Sequence, residues 1–139
     1  MCNNNSEECK CIAEILTVIN ILQQNAECGD ACLDTCDRGF LGCSASSVNC
    51  NTRPIMLYTC CGNGVPWAMP ISRDPNETVT SSVFRIEKID GCCATFRVLA
   101  PNTDAEQTYP YVTTNSFFTM NLSCVCVLRC LQDTFVDCV

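Results

Sequence analysis

Val83-Phe84-Arg85-Ile86-Glu87-Lys88-Ile89, then Asp90-Gly91, then Cys92-Cys93-Ala94-Thr95-Phe96-Arg97-Val98-Leu99 is the stretch that decides the fold class. Two runs rich in β-branched and aromatic residues flank a dipeptide that accepts the positive φ angles of a tight hairpin turn. The segment is expected to form an antiparallel hairpin with Asp90-Gly91 as its two turn residues. In that register Arg85 faces Phe96 and Phe84 faces Arg97, so neither face is purely core or purely solvent. Mixed faces of this kind suit an interface as well as a sandwich.

On the C-terminal side, Phe118, Met120, Leu122 and Cys124 alternate with Thr119, Asn121 and Ser123, the period-two pattern of a half-covered strand. From Val125 to Leu128 both sets of positions are apolar, which predicts that this strand continues into a part of the sheet covered on both sides. Upstream, Ile55-Met56-Leu57-Tyr58-Thr59 reads as a strand, Gly62-Asn63-Gly64 as a turn, and Val65 to Met69 as a short strand bounded by Pro66 and Pro70. Residues 7–26 differ in kind. Ile12, Ile15, Leu16, Ile19 and Leu22 recur at helical spacing, Ser6 suits the N-cap, and Glu7 and Glu8 favour the positive end of the helix dipole. Val18 and Ile21 broaden the apolar stripe beyond one face. From Ala26 to Asn51 the only regular feature is Cys28, Cys32, Cys36, Cys43 and Cys50 among Gly, Asp, Ser and Asn. The fold class expected is mainly β: a β-sandwich or jelly-roll-like domain with one N-terminal helix and a cysteine-rich connector. Residues 1–50 form the helix and connector and residues 51–139 the β domain, within one compact unit.

Sixteen of the 139 residues are cysteine and none is histidine. Without cysteine about 36% of the chain is still apolar, enough for an ordinary core, so bridges are not needed to replace apolar burial. Met1-Cys2-Asn3-Asn4-Asn5-Ser6-Glu7-Glu8 has neither the basic start nor the apolar run of an export signal. The expectation is a chain made in a reducing compartment that later becomes oxidising, with thiols that cross-link after deposition. The net charge of −7 and the lack of any lysine or arginine cluster argue against a nucleic-acid partner. No apolar run approaches the roughly 20 residues that span a bilayer, so no membrane insertion is expected.

The pattern of cysteines separates their roles. Adjacent side chains in a strand point to opposite faces, so a vicinal pair such as Cys92-Cys93 or Cys60-Cys61 offers one thiol inward and one outward. Cys2, Cys9 and Cys11 near one terminus and Cys138 near the other are expected to have few geometric limits on their partners. Cys2, Cys9, Cys11, Cys92, Cys93 and Cys138 are therefore the candidates for disulfides between subunits. Cys124, Cys126 and Cys130 are the candidates for intrachain bridges or buried thiols, because Cys124 and Cys126 share the apolar face of Phe118, Met120 and Leu122. Zinc is the chemical rival: Cys28, Cys32 and Cys36 have loosely compatible spacing, but the chain contains no Cys-x2-Cys knuckle. A cysteine nucleophile has no histidine to activate it, and no phosphate-binding loop is present. No catalytic residue, metal site or cofactor is assigned.

Asn51-Thr52-Arg53-Pro54-Ile55-Met56-Leu57-Tyr58-Thr59, Phe84-Arg85-Ile86-Glu87-Lys88-Ile89-Asp90, Arg97-Val98-Leu99 and Leu122-Ser123-Cys124-Val125-Cys126-Val127-Leu128-Arg129-Cys130-Leu131-Gln132-Asp133 together resemble the CotY, CotZ and ExsY family of spore coat and exosporium proteins of endospore-forming bacilli. Cys-x-Cys-x3-Cys-Leu at residues 124–131 is the most specific piece; before residue 50 the likeness is one of character. The resemblance implies a self-assembling subunit of a two-dimensional, hexagonal sheet in the outer coat or exosporium, hardened by disulfides. It also implies synthesis in the mother-cell cytoplasm, deposition on the spore surface, and partnership with further copies and with other coat or exosporium proteins. Histidine tracts common in that family are absent, which leaves a metal-linked role without support. The alternatives are a spore appendage fibre subunit, stapled along one axis by its N-terminal cysteines, and a cysteine-only zinc-binding module.

Overall fold

The computed structural model describes residues 9–25, 50–103 and 109–139. Ser6, Cys2 and the connector cysteines Cys28, Cys32, Cys36 and Cys43 lie outside the described residues. The protein is mainly β with one N-terminal helix. In chain order the elements are α1 (Lys10–Gln24), β1 (Ile55–Thr59), β2 (Met69–Pro70), β3 (Thr80–Ser81), β4 (Val83–Asp90), β5 (Cys93–Pro101), β6 (Tyr111–Asn121), a 3-10 turn (Leu122–Cys124) and β7 (Val125–Cys130).

Helix α1 buries Leu16, Ile19 and Gln23, one residue per turn along a single stripe, and leaves Ile21 51% exposed. The stripe it buries is thus narrower than the stripe it carries. Cys9 stands at the N-cap without a side-chain cap bond. At the other end the Asn25 backbone N–H and Nδ2 both donate to Ile21 O. Gln23 fixes the helix to the sheet: its Nε2 donates to Ile86 O at 2.8 Å, and its Oε1 accepts from the Arg53 backbone N–H at 3.1 Å. A buried amide satisfied at both ends specifies one docking position where apolar contact alone would permit sliding.

The strands form a five-stranded antiparallel sheet in the order β6-β5-β4-β1-β7, with β2 and β3 as a separate two-stranded ribbon. β6 and β7 are opposite edges, yet only Leu122–Cys124 separates them in sequence. In a flat sheet the two edges would stand about 19 Å apart, whereas the chain from Asn121 to Val125 spans at most about 14 Å. The sheet must curl until its edges approach at that end. The core lies inside the curl: Ile55, Leu57, Phe84, Ile86, Phe96, Val98, Leu122 and Val125 pack with Leu16 and Ile19 of α1. Phe118 stacks on Phe96 at 5.2 Å and meets Phe84 edge-on at 4.8 Å. The layer opposite the larger sheet is the helix, not a second sheet of comparable size.

Several local readings change. The hairpin turn is Gly91-Cys92, closed by the Asp90–Cys93 pair, because the positive φ of +58° falls on Gly91 as the first turn residue. Glu87 then bulges from β4, which aligns Ile86 with Phe96 and places Arg85 opposite Arg97. The strand expected to run from Phe118 past Cys124 is broken by the 3-10 turn, in which Asn121 Oδ1 accepts from the backbone N–H and Oγ of Ser123. Beyond it, β7 is not covered on both sides: as an edge strand it leaves Val127 51% exposed. Val65–Ala68 is not a strand; only Met69–Pro70 pairs, with Thr80–Ser81.

The segment after β7 returns to the start of β1. Arg53 Nε and Nη2 donate to the two carboxylate oxygens of Asp133 at 2.7 and 2.9 Å, both side chains being buried, and Asn51 exchanges two hydrogen bonds with the backbone of Val136. Removing one member of a buried ion pair leaves the other charge uncompensated. Asp133→Ala is therefore expected to destabilise the oxidised protein by about 3–5 kcal/mol in denaturant titration. A loss within about 1 kcal/mol, the range of exposed pairs, would show that water already solvates this one.

Candidate functional site: bridged and free cysteines

Two disulfides are placed within the described residues. Cys9–Cys92 ties the start of α1 to the hairpin turn across 83 residues, with Cα atoms 5.8 Å apart. Cys60–Cys126 ties the end of β1 to the start of β7 across 66 residues, with Cα atoms 5.0 Å apart. Closing loops of this length stabilises a fold by roughly 4 kcal/mol each in the chain-entropy account. Cys50, Cys124 and Cys130 are disulfide-bonded as well. Cys11, Cys61, Cys93 and Cys138 are exposed and free.

Local geometry explains the division. Gly91 starts the turn, so Cys92 occupies its second position, half-buried, with its carbonyl accepting from Leu122 N–H at 2.8 Å. Cys9, 2% exposed, belongs to the core cluster and meets it there. Cys93 is the first residue of β5 and points away, exposed. At the other site the register of β1 against β7 slips between Tyr58–Val127 and Thr59–Val125, which makes Cys126 the extra residue of a bulge. Released from the ladder, it reaches Cys60, whose backbone N–H donates to Cys124 O at 3.1 Å, while Cys61 remains exposed.

The sequence pattern offers Cys9 and Cys92 to neighbouring subunits. The structure joins them to each other, because the supposedly unconstrained terminus at Cys9 is the buried start of a docked helix. Cys11, Cys93 and Cys138 are free and exposed, and Cys2 lies outside the described residues. The sequence pattern places Cys126 on the core face with Phe118 and Met120. The 3-10 turn and the bulge reverse that facing, so Val125 is buried and Cys126 is exposed. Cys61, outside the intersubunit candidates, carries the same signal as Cys93: a vicinal cysteine beside a strand end.

The sheet face opposite the core carries a charged cluster that sequence did not reveal. Arg85 and Arg97 sit directly across β4 and β5, and bulged Glu87 lies between them, with Oε2 2.9 Å from Arg85 Nη1 and Oε1 3.1 Å from Arg97 Nε. The second contact is an ion pair by distance without hydrogen-bond alignment. Burial lowers the Arg85 pKa most, with Glu87 opposing and Arg97 adding to the shift, while Thr52 Oγ1 and Asn51 O accept from its guanidinium. Arg97 lies 4.7 Å over the Phe117 ring and donates to Thr113 Oγ1 and to Cys138 O. Through that last bond the cluster positions the C-terminal segment bearing the free Cys138. Among the described residues, no group of three or more metal-ligating side chains converges.

Maleimide labelling of the native, unreduced protein followed by peptide mapping is expected to modify Cys11, Cys61, Cys93 and Cys138, and to spare Cys9, Cys60, Cys92 and Cys126 until reductant is added. Labelling of Cys9 or Cys92 before reduction would overturn the assignment of the buried bridge.

A family model described as spore coat protein Z matches residues 1–110, which include α1, the connector and β1 to β5. The match thus takes in the first 50 residues, where the sequence likeness was one of character alone, and stops short of the Cys-x-Cys-x3-Cys-Leu segment. No curated protein and no solved structure matches the chain. With 110 of its 139 residues matched, the chain belongs to the spore coat protein Z family and is a structural protein of the spore coat.

Proposed function

We propose that this protein is a non-enzymatic, self-assembling subunit of a two-dimensional, hexagonal lattice in the outer coat or exosporium. On this reading it is made in the mother-cell cytoplasm and joins further copies of itself and other coat proteins at the spore surface. The observation that carries the proposal is the number and placement of the free thiols. Cys11 lies on α1, Cys61 beyond β1, Cys93 at the hairpin and Cys138 at the C-terminus, all exposed. Two linkage points per subunit lock only a chain, whereas locking a sheet takes at least three. Four exposed thiols meet that number: Cys11, Cys61 and Cys93 stand around the end of the sheet where the chain passes from β6 to β7, and Cys138 stands on the C-terminal segment beside Arg97.

Thiol exchange is promiscuous, so it cannot by itself select a lattice. Complementary surfaces must set the geometry first. The sheet offers two edges for this purpose, and both carry exposed apolar side chains: Val112 and Phe117 on β6, and Val127 on β7. Unpaired strand edges with apolar side chains favour lateral association. In this scheme non-covalent contacts order the layer and disulfides then lock it.

Negative-stain electron microscopy of the recombinant protein, before and after a strong thiol reductant, tests the proposal. Ordered sheets that persist but soften on reduction are expected. Fibres would replace the lattice by an appendage with one repeat axis, and dispersed particles under both conditions would remove intrinsic assembly.

A further inference from the structure

The two placed bridges differ in one respect that matters chemically. Cys9–Cys92 has one sulfur-bearing residue buried in the core and the other half-buried, whereas Cys60 and Cys126 are both exposed. Thiolate attack on a disulfide needs access along the bond to one of its sulfurs, and exposed bridges are the labile ones. The Cys60–Cys126 bridge also lies beside backbone pairing that makes its own hydrogen bonds. Strands β1 and β7 pair from Ile55–Cys130 to Thr59–Val125, and the Cys60 N–H donates to Cys124 O. The Cys9–Cys92 bridge, in contrast, fixes an N-cap that has no side-chain capping bond.

We propose that Cys60–Cys126 is an exchangeable disulfide through which one copy cross-links to another without an external oxidant. The inference rests on the self-assembling reading above and names how its covalent step proceeds. The thiolate of an exposed cysteine on one copy attacks a sulfur of the Cys60–Cys126 bridge on a second copy. A new sulfur–sulfur bond forms between the copies, the intrachain bond breaks, and its electron pair leaves on the other sulfur as a thiolate. One disulfide and one thiolate are present before and after, so the step is redox-neutral. The released thiolate is itself exposed and can attack the next copy, so linkage propagates from a few starting thiolates. The oxidising equivalents are thereby carried into the layer by the folded subunit.

The test is cross-linking under strict anaerobiosis with a metal chelator, using protein whose bridges have already formed. Wild type is expected to give reductant-sensitive covalent oligomers on non-reducing gels, and the double variant Cys60→Ser/Cys126→Ser is expected to form them at least about tenfold more slowly. In air the double variant should cross-link by oxidation of its remaining thiols. As a check independent of the variant's folding, reduced glutathione added to wild type should appear as mixed disulfides on Cys60 or Cys126 and not on Cys9 or Cys92. Cross-linking that requires oxygen in wild type, or glutathione distributed equally over both bridges, would overturn the inference. Ordered sheets without anaerobic linkage would sink this inference alone. Glutathione exchange at Cys60–Cys126 in protein that never forms sheets would sink the lattice reading alone.

Discussion

Consecutive side chains leave the backbone in different directions, and where two cysteines follow one another at a strand end or in the turn beside it, they meet different fates. At residues 92–93 the turn sends one sulfur toward the buried start of α1 and the other to solvent; at residues 60–61 one sulfur closes onto the β7 bulge and its neighbour stays free. Cys9 and Cys11 at the helix start divide in the same way, one buried and bridged and one exposed and free. Each pair both tightens the domain and presents a reactive group outside it. A domain that spent all these thiols internally would have nothing left for its neighbours, and one that spent none would lose two long loop closures.

The fold supports this division by fixing the elements that carry the free thiols to one another. Gln23 ties α1 to β4, the aromatic contacts of Phe84, Phe96 and Phe118 fill the curl, and the buried Arg53–Asp133 pair secures the returning C-terminal segment. On the opposite face, Glu87 relieves the repulsion that directly paired Arg85 and Arg97 would suffer, and Arg97 in turn holds the carbonyl of Cys138. In the proposed lattice, positions set in this way let non-covalent contacts choose which sulfurs meet.

What the sequence disclosed follows from how local each signal is. The hairpin was legible because Asp90-Gly91 and its flanking runs lie within one window, yet its register was not. Only the folded chain shows that Gly91 opens the turn and that Glu87 bulges to bring Phe96 opposite Ile86. Helix α1 was legible from its period, but not that Cys9 would be buried, since its partner lies 83 residues away. The pattern from Phe118 to Cys124 alternates without interruption, so nothing in it marked the 3-10 turn that carries the chain from one sheet edge to the other. The exposure of Val127 and Cys126 was hidden for the same reason: an apolar run reads as buried until the sheet order shows that it is an edge.

The central claim is that complementary surfaces order the layer and disulfides only lock it. Electron microscopy of the quadruple variant Cys11→Ser/Cys61→Ser/Cys93→Ser/Cys138→Ser tests this most directly, because it removes the free described thiols and leaves both placed bridges intact. The account predicts sheets with the wild-type lattice spacing that disperse in denaturant where wild-type sheets survive. Failure of the variant to form any ordered array, with its fold intact by circular dichroism, would show that covalent linkage is what builds the layer, and would contradict the account.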